Sequence, residues 1–212
     1  MNHLNKIFRL IILSLTISNP VLLSAQSSGT FRDERDGNTY KYVVIGEQTW
    51  MAQNLKYDTG NSICYMDSIS YCKVYGYLYT WEDALNACPS GWHLPEASEW
   101  DTLISFLGGK WKAGGHLKEK GTKHWEWPNK GAADTYGFCA LPTDIKLQYG
   151  GYIGLLRANA EYWSATESDA ISSHSFKLYS SIVLADLTKA SKTTAISIRC
   201  IRDALDQKII VE

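Results

Sequence analysis

The chain has 212 residues, a mass of 23.8 kDa and a formal net charge of −1 at pH 7, with 21 basic residues against 22 acidic ones. This length is enough for one domain with a sizeable hydrophobic core. Because the charges balance and are interspersed, the composition does not favour a nucleic acid partner. Eight tryptophans and thirteen tyrosines are many for this length. They serve either as large core residues or as an exposed recognition surface.

Residues 1–25 have the pattern of a secretory signal peptide. Lys6 and Arg9 precede an apolar run from Leu10 to Leu23, and Ser24-Ala25 offers a cleavage site. The run is interrupted by polar residues and a proline, so it is too short and too broken to span a membrane. We therefore expect an exported protein, secreted or at the cell surface, with no membrane span after removal of the signal.

The mature chain begins with a polar stretch and a β-hairpin. Residues 26–35 are polar and predict a flexible segment, and the predicted domain covers residues 36–203. Two runs rich in β-branched and aromatic residues, Tyr40–Ile45 and Gln48–Ala52, flank the dipeptide Gly46-Glu47. This pattern predicts a hairpin with a type II′ turn.

Two short amphipathic helices are predicted between Thr80 and Gly109. Apolar residues repeat with helical spacing before Pro89 and again after Pro95. Thr80 resembles a capping residue, and Pro89 ends the first helix. The glycines at 108 and 109 end the second helix because they adopt a positive φ readily.

The regular pattern is lost after the second helix. Residues 110–137 are rich in glycine and contain three tryptophans. A long irregular stretch inside a domain usually has a function or conceals a missed element. Short β-rich runs then predict a closing meander that ends with Ile196–Ile201, and residues 204–212 form a tail without an assigned place.

The five cysteines are disulfide candidates because an exported protein folds in an oxidising compartment. Cys64 and Cys72 bracket a short loop, which predicts a local bridge. Cys88 ends the first predicted helix and Cys200 lies in the last apolar run, so a bridge between them would join the two ends of the fold. Cys139 is left over and is expected to be a buried, inert thiol. The cysteine and histidine spacings do not favour a structural zinc site.

The order of a hairpin, two short helices, a long irregular loop region and a small antiparallel sheet resembles the α+β fold of C-type-lectin-like domains. Five successive blocks resemble the Fibrobacter succinogenes major paralogous domain family: DGNTYKYVVIGEQTWMAQNL, YGYLYTWEDALNACPSGWHLPEASEW, GTKHWEWPNKGAADTYGFCALP, YWSATES and SIRCIRD. The resemblance covers nearly all of residues 33–203. It implies an exported bacterial protein with a lectin-like fold, and it implies no biochemical role. The chain departs from the family at Cys139, where Ser or Thr is usual, and in the residues after Pro142.

The stretch GWHLPEASEW also resembles sulfatase-modifying, formylglycine-generating enzymes. Those enzymes need a pair of active-site cysteines late in the chain. The late cysteines here are Cys139 and Cys200, and a disulfide at Cys200 would leave no thiol pair for that chemistry. An enzyme of this kind is therefore the disfavoured hypothesis, and no catalytic residue is assigned.

Sugar-binding lectins of this fold hold calcium with oxygen ligands on either side of a proline and in a Trp-Asn-Asp motif. Here Trp127-Pro128-Asn129 lacks a carboxylate or amide directly before the proline, because Glu126 stands one residue too early. Tyr162-Trp163-Ser164 lacks the Asn-Asp pair. The motifs do not support a calcium site, and no cofactor is expected.

The favoured hypothesis is an exported, non-catalytic binding module with residues 110–160 as its surface. The predicted contacts with a glycan or a surface protein are Trp111, Trp125, Trp127, Asn129 and Asp134. Aromatic faces on loops stack on sugar rings or anchor protein partners, and the amide and the carboxylate would be polar contacts. In the competing interpretation, the tryptophans pin the loop to the core. The alternative function is a structural surface or matrix protein without a discrete ligand.

Overall fold

The computed structural model describes residues 27–143, 145–146, 151–153 and 157–204. The predicted signal peptide, residues 1–25, lies outside the described residues, as does all but the first residue of the predicted tail, 204–212. Parts of the 110–160 region lie outside as well. The described part of the chain combines sheets with short helices and is α+β, as predicted.

Two five-stranded sheets form most of the fold. In the described residues the strands are, in chain order, β1 (Ser28–Arg32), β2 (Thr39–Ile45), β3 (Gln48–Met51), β4 (Leu78–Tyr79), β5 (Trp92–His93), β6 (Ile145–Lys146), β7 (Tyr152–Ile153), β8 (Asn159–Glu167), β9 (Ser172–Tyr179), β10 (Ala185–Ser191), β11 (Ile196–Ser197) and β12 (Ile201–Arg202). The first sheet has the order β1-β2-β3-β12-β5, the second has the order β10-β9-β8-β11-β4, and β6 pairs with β7. The sequence predicted one small sheet, because strands of two residues show no alternating pattern.

The predicted hairpin is formed by β2 and β3. Ile45 pairs with Gln48, so Gly46 and Glu47 make a two-residue turn. Gly46 has a φ of +63°, as a type II′ turn requires at its first central residue.

Strand β1 corrects the prediction that residues 26–35 form a flexible segment. Its five residues pair with β2 in antiparallel register. Its aromatic residue, Phe31, stacks on Trp92 with the ring centroids 4.4 Å apart. One aromatic side chain in a polar stretch is too weak an alternating signal to predict a strand from the sequence.

The last apolar run, Ile196–Ile201, divides between the two sheets. Strand β11 pairs with β4 and with β8 in the second sheet, whereas β12 pairs with β3 and β5 in the first. The chain therefore crosses from one sheet to the other between Ser197 and Ile201, and the crossing residues are buried.

The helices of the described residues are α1 (Ile69–Tyr75), α2 (Trp81–Ala84), α3 (Ala97–Phe106) and α4 (Lys110–Leu117), and Tyr65–Asp67 form a 3-10 turn. The two predicted helices correspond to α2 and α3, so α1 and α4 are additional. Helix α2 has four residues and ends earlier than predicted. The hydroxyl of Thr80 caps α2 by accepting the N–H of Asp83 at 3.4 Å. None of the described helices is both long and apolar enough to cross a membrane.

Helix α4 occupies the start of the stretch that the sequence predicted to be irregular. Gly114 lies inside this helix, where glycine lowers the helix propensity. A Cβ at Gly114 would lie 2.6 Å from the carbonyl oxygens of Val183 and Leu184. The glycine therefore allows the helix to pack directly on the backbone that precedes β10, and this tertiary requirement hid the helix from sequence analysis.

The core is centred on Trp100 of α3. Its indole stacks on Phe176 of β9 with centroids 4.2 Å apart, and the centroid of Trp50 on β3 lies 4.5 Å away. All three side chains are fully buried, so one helix residue joins both sheets. A second cluster surrounds Trp163, whose indole N–H donates to the carbonyl of Tyr79 at 2.7 Å.

Both predicted disulfides are present. Cys64–Cys72 joins positions 8 residues apart, and Cys88–Cys200 joins positions 112 residues apart. The long bridge ties the segment after α2 to the crossing between the sheets. Cys139 is free, as predicted, and it is half-buried.

Candidate functional site

The surface predicted from the sequence, residues 110–160, begins with helix α4 and continues into residues 118–140, which we call the tryptophan loop. Lys118, its first residue, is fully buried. The ammonium group donates hydrogen bonds to the carbonyls of Lys130 at 2.9 Å, Tyr179 at 2.7 Å and Ile182 at 3.0 Å. Burial lowers the pKa of Lys118 to about 8. Because the three bonds use all the donors of an ammonium group, this side chain ties the loop to the connection between β9 and β10.

Asn129 holds the loop closed from within. Its side-chain amide donates to the carbonyls of Glu119 at 2.8 Å and Gly121 at 2.6 Å. The residue is buried and has a φ of +40°, a left-handed conformation that asparagine tolerates better than most residues. The structure therefore does not place Asn129 on the predicted contact surface, because its amide belongs to the frame of the loop.

Trp125 is part of the core. It is fully buried, and its indole N–H donates to the carbonyl of Ala140 at 2.8 Å. The ammonium group of Lys118 lies 5.6 Å from the ring centroid, close enough for a cation–π contact. This arrangement corrects the prediction that Trp125 contacts a ligand and agrees with the competing interpretation that it pins the loop.

Trp127 has the opposite environment, with 84% of its surface exposed. Its neighbours are held in place. The N–H of Glu126 donates to the carbonyl of Arg157 at 3.0 Å, and the carboxylate of Glu126 accepts the hydroxyl of Ser180 at 2.8 Å. The N–H of Asn129 donates to the carbonyl of Glu126 at 3.0 Å, and the peptide bond from Trp127 to the following proline is cis. The indole is thus presented to solvent by a backbone that is fixed on both sides.

Arg157 clamps the tryptophan loop from outside. Its guanidinium group donates to the carbonyls of Thr122 at 2.7 Å, His124 at 2.8 Å and Trp125 at 3.0 Å. These bonds hold the residues shortly before Trp127, so the loop is fixed from outside by Arg157 and from within by Asn129.

The two remaining predicted contacts are Trp111 and Asp134. Trp111, on the first turn of α4, exposes 64% of its surface. Asp134 is half-buried, and one of its carboxylate oxygens accepts the N–H of Cys139 at 2.8 Å. Burial raises the pKa of Asp134. The structure therefore exposes Trp111 and Trp127, and it places Asp134 in a cleft.

This cleft, which the sequence did not reveal, lies between the N-terminal strands and the tryptophan loop and has a volume of about 680 Å³. Strands β1 and β2 line it with residues that include Thr30 and Lys41, and the loop lines it with Glu119, Asp134 and Cys139. Small-ligand sites typically enclose roughly 300–1,000 Å³. The volume is therefore sufficient for a ligand.

His124 also lines the cleft and is oriented by two neighbours. Its Nδ1 lies 2.8 Å from a carboxylate oxygen of Glu119, and its ring meets that of Tyr75 edge to face with centroids 5.6 Å apart. The imidazole and the carboxylate form a side-chain pair at the surface of the cleft, and they interact as an ion pair when the histidine is protonated.

Arg199 lies behind two residues that line the cleft. It is fully buried, and its guanidinium group donates to the side chain of Asn54 at 3.2 Å and to the carbonyl of Cys139 at 3.3 Å. In the described part of the chain it is not paired with a carboxylate. The sequence does contain a signal for it, because Arg199 interrupts the apolar run SIRCI and charged residues are rarely buried without dedicated partners.

The cysteines bear on the resemblance to formylglycine-generating enzymes. Cys200 is held in the bridge to Cys88, so Cys139 has no second thiol with which to form the pair that those enzymes use. Burial raises the pKa of the Cys139 thiol. This favours the protonated form over the nucleophilic thiolate.

In the part of the chain that the structure describes, no group of three or more His, Cys, Asp or Glu side chains is arranged to hold a metal ion. In the segment nearest to a lectin calcium motif, the carboxylate of Glu126 bonds to Ser180 and the amide of Asn129 bonds inside the loop.

Comparison with known proteins gives a match at the level of the family. The sequence model of the Fibrobacter succinogenes major domain matches residues 43–202. No curated protein and no solved structure matches the chain. The matched range contains the tryptophan loop and both disulfides.

Proposed function

The chain belongs to the Fibrobacter succinogenes major domain family, and we propose that it is an exported, non-catalytic binding module whose principal contact is Trp127. The ligand that fits this contact is a carbohydrate, and a protein at a cell surface is the competing ligand. We also propose that the two sheets and the long loop form a C-type-lectin-like domain.

The exposure of Trp127 carries the proposal. An indole gains stability when it packs against its own protein, as Trp125 does two residues earlier. Trp127 instead exposes 84% of its surface on a backbone whose hydrogen bonds are satisfied on both sides. A tryptophan side chain has two rotatable bonds, so an indole on a fixed backbone binds with little loss of conformational entropy. This combination is typical of residues that dominate binding interfaces.

The surroundings of Trp127 support a carbohydrate ligand. The next residues, Pro128 and Lys130, are also exposed. The indole face offers an apolar platform for the C–H face of a sugar ring, and the lysine offers donors to hydroxyl groups. Trp111 is a second exposed aromatic residue on the same part of the chain, and we propose it as an additional contact.

The cysteines support export. A disulfide that joins positions 112 residues apart is typical of proteins in oxidising compartments, because reducing cytosol keeps thiols free. Together with the basic and apolar pattern of residues 1–25, this favours a protein that is secreted or retained at the cell surface.

A glycan array tests this proposal. Residues 26–212 would be applied with calcium and with a chelator, as the unchanged chain and as the variants Trp127→Ala and Trp111→Ala. Ile171→Ala is the matched control, because Ile171 exposes 76% of its surface and lies outside the tryptophan loop. We expect a glycan signal that Trp127→Ala abolishes, that Ile171→Ala leaves unchanged and that the chelator does not affect.

Three results would change the assignment. A signal that Trp127→Ala leaves intact would contradict the proposed contact. Loss of the signal with chelator would show that the ligand is held through calcium. Silence of the folded protein on the array would count against a carbohydrate and favour a protein partner or a structural role.

A further inference from the structure

We propose that the cleft between the N-terminal strands and the tryptophan loop binds an extended polypeptide segment of another protein that carries an apolar side chain. This site goes beyond the proposed function at Trp127, which is not among the residues that line the cleft. Neither site requires the other, so each can be tested alone.

The apolar part of the cleft fits a hydrophobic side chain. The residues that line it include Val43, Ala52, Val74 and Leu141, which come from four separate segments of the chain. Binding sites of this volume typically combine an apolar lining with a few polar groups that fix the orientation of the ligand.

The polar groups of the cleft match a peptide backbone. Lys41 of strand β2 and Asp134 of the tryptophan loop both line it. Within the part of the chain that the structure describes, the ammonium group of Lys41 has no hydrogen bond or ion pair, and the carboxylate of Asp134 has one hydrogen bond, from the N–H of Cys139. Each peptide unit carries one donor and one acceptor. An N–H of the bound segment can therefore donate to Asp134 while a carbonyl accepts from Lys41.

The segment next to the cleft carries exposed apolar side chains. Val74 of α1 lines the cleft and exposes 42% of its surface, and Met66 and Ile69, earlier in this segment, expose 60% and 56%. The disulfide between Cys64 and Cys72 closes the loop that contains Met66 and Ile69. Val74 therefore offers exposed apolar surface to a side chain bound in the cleft.

A sugar fits this cleft less well, because the aromatic rings that line it already pack against other residues. The ring of Tyr42, which lines the cleft, lies 4.5 Å from the guanidinium carbon of Arg202 and packs near Trp92, with the centroids 6.3 Å apart. The ring of His124 meets Tyr75. These contacts leave less aromatic surface for stacking on a sugar ring than Trp127 exposes elsewhere.

Cys139 provides a built-in reporter. It lines the cleft, and it is the one free thiol, because the other four cysteines form the two bridges. A bound peptide should slow the reaction of this thiol with a colorimetric disulfide reagent. The rate can be measured on the unmodified protein.

The experiment selects peptides from a phage-displayed random dodecapeptide library on residues 26–212. The enriched peptides are then synthesised and their affinity is measured for the unchanged protein, for Val74→Lys and for Leu85→Lys. Leu85 is the matched control, because it exposes 41% of its surface, against 42% for Val74, and does not line the cleft. We expect enriched peptides with an apolar residue, binding weakened about tenfold or more by Val74→Lys alone, and slower reaction of Cys139 when the peptide is present.

Any of three outcomes would overturn the proposal. The first is the absence of enrichment over a surface without protein. The second is a set of peptides that bind Val74→Lys and the unchanged protein equally well. The third is a set of peptides that bind but leave the reaction rate of Cys139 unchanged, which would place their site outside the cleft.

Discussion

Trp125 and Trp127 are two residues apart on one loop, and they face opposite environments. The indole N–H of Trp125 donates to the carbonyl of Ala140 at 2.8 Å in the core, whereas Trp127 exposes 84% of its surface. In the proposed function, the buried indole stabilises the loop and the exposed indole contacts the ligand. This separation allows each role to be tested by the same substitution.

Replacing each tryptophan by alanine should give effects of very different size on stability. Trp125→Ala should lower the free energy of unfolding by about 3–5 kcal/mol, because it opens a cavity in the core and removes the indole donor from the Ala140 carbonyl, which keeps the N–H of Glu119. Trp127→Ala should change it by less than about 0.5 kcal/mol, because the side chain is exposed. Urea unfolding of both variants measures the difference. Equal losses of stability would contradict the described environments.

Lys118 should stabilise the tryptophan loop through its hydrogen bonds. Lys118→Met keeps the length of the side chain but removes the donors from three carbonyls, each worth roughly 1–3 kcal/mol when left buried and unpaired. Since the variant no longer buries a charge, part of this loss is offset. We expect a net loss of about 2 kcal/mol or more, measured by urea unfolding. Lys112→Met, at an exposed position of α4, is the control and should be nearly neutral.

Gly114 should resist replacement by alanine even though it lies in a helix. In an open helix this change adds about 1 kcal/mol of stability. Here the new Cβ would lie 2.6 Å from two carbonyl oxygens of the chain before β10. We expect a loss of roughly 1–3 kcal/mol from the resulting shift of the backbone, measured by thermal unfolding. A rise in the melting temperature would show that α4 does not pack on this segment as described.

His93 should make stability depend on pH. The pKa of His93 is raised to about 9. The main cause is the hydrogen bond of its Nε2 to Glu99 at 3.1 Å, and the bond of its Nδ1 to Asp203 at 2.6 Å adds to it. The folded state therefore keeps a proton that the unfolded state loses above its ordinary pKa of about 6.5. The contribution is complete below about pH 6.5 and is lost as the pH rises toward 9.

The variant His93→Gln tests this dependence. The difference in free energy of unfolding between the unchanged protein and the variant should be larger at pH 6 than at pH 9.5. His116→Gln is the control, because the Nδ1 of His116 bonds to the hydroxyl of Thr135 instead of a carboxylate. A difference that stays constant across this range would contradict the assigned role of His93.

Features encoded by neighbouring residues could be predicted from the sequence. The hairpin turn at Gly46 and helix α3 follow from local patterns, and both disulfides follow from the positions of the cysteines relative to the predicted elements. Helix α4 could not be predicted, because the glycine that lowers its propensity is required by a backbone segment about seventy residues later in the chain.

The candidate sites are formed by contacts between segments that are distant in the chain. Such contacts leave no local pattern, so the sequence could not show which tryptophan is exposed or where the cleft lies. The carbonyl of Ala140 holds the indole of Trp125 in the core, and Arg157 holds the backbone shortly before Trp127. The cleft combines strands β1 and β2 with the tryptophan loop and Val74. The composition pointed to the tryptophans as a group, and the folded structure shows which of them are buried and which are exposed.

The most direct test of the central claim is the dissociation constant of the glycan with the strongest array signal. It would be measured by calorimetry for the unchanged protein, Trp127→Phe and Trp127→Ala. We predict that Trp127→Ala weakens binding about 30-fold or more, which corresponds to about 2 kcal/mol, while Trp127→Phe keeps part of the affinity because a ring remains. Equal dissociation constants for the three proteins would contradict the assignment of Trp127 as the principal contact.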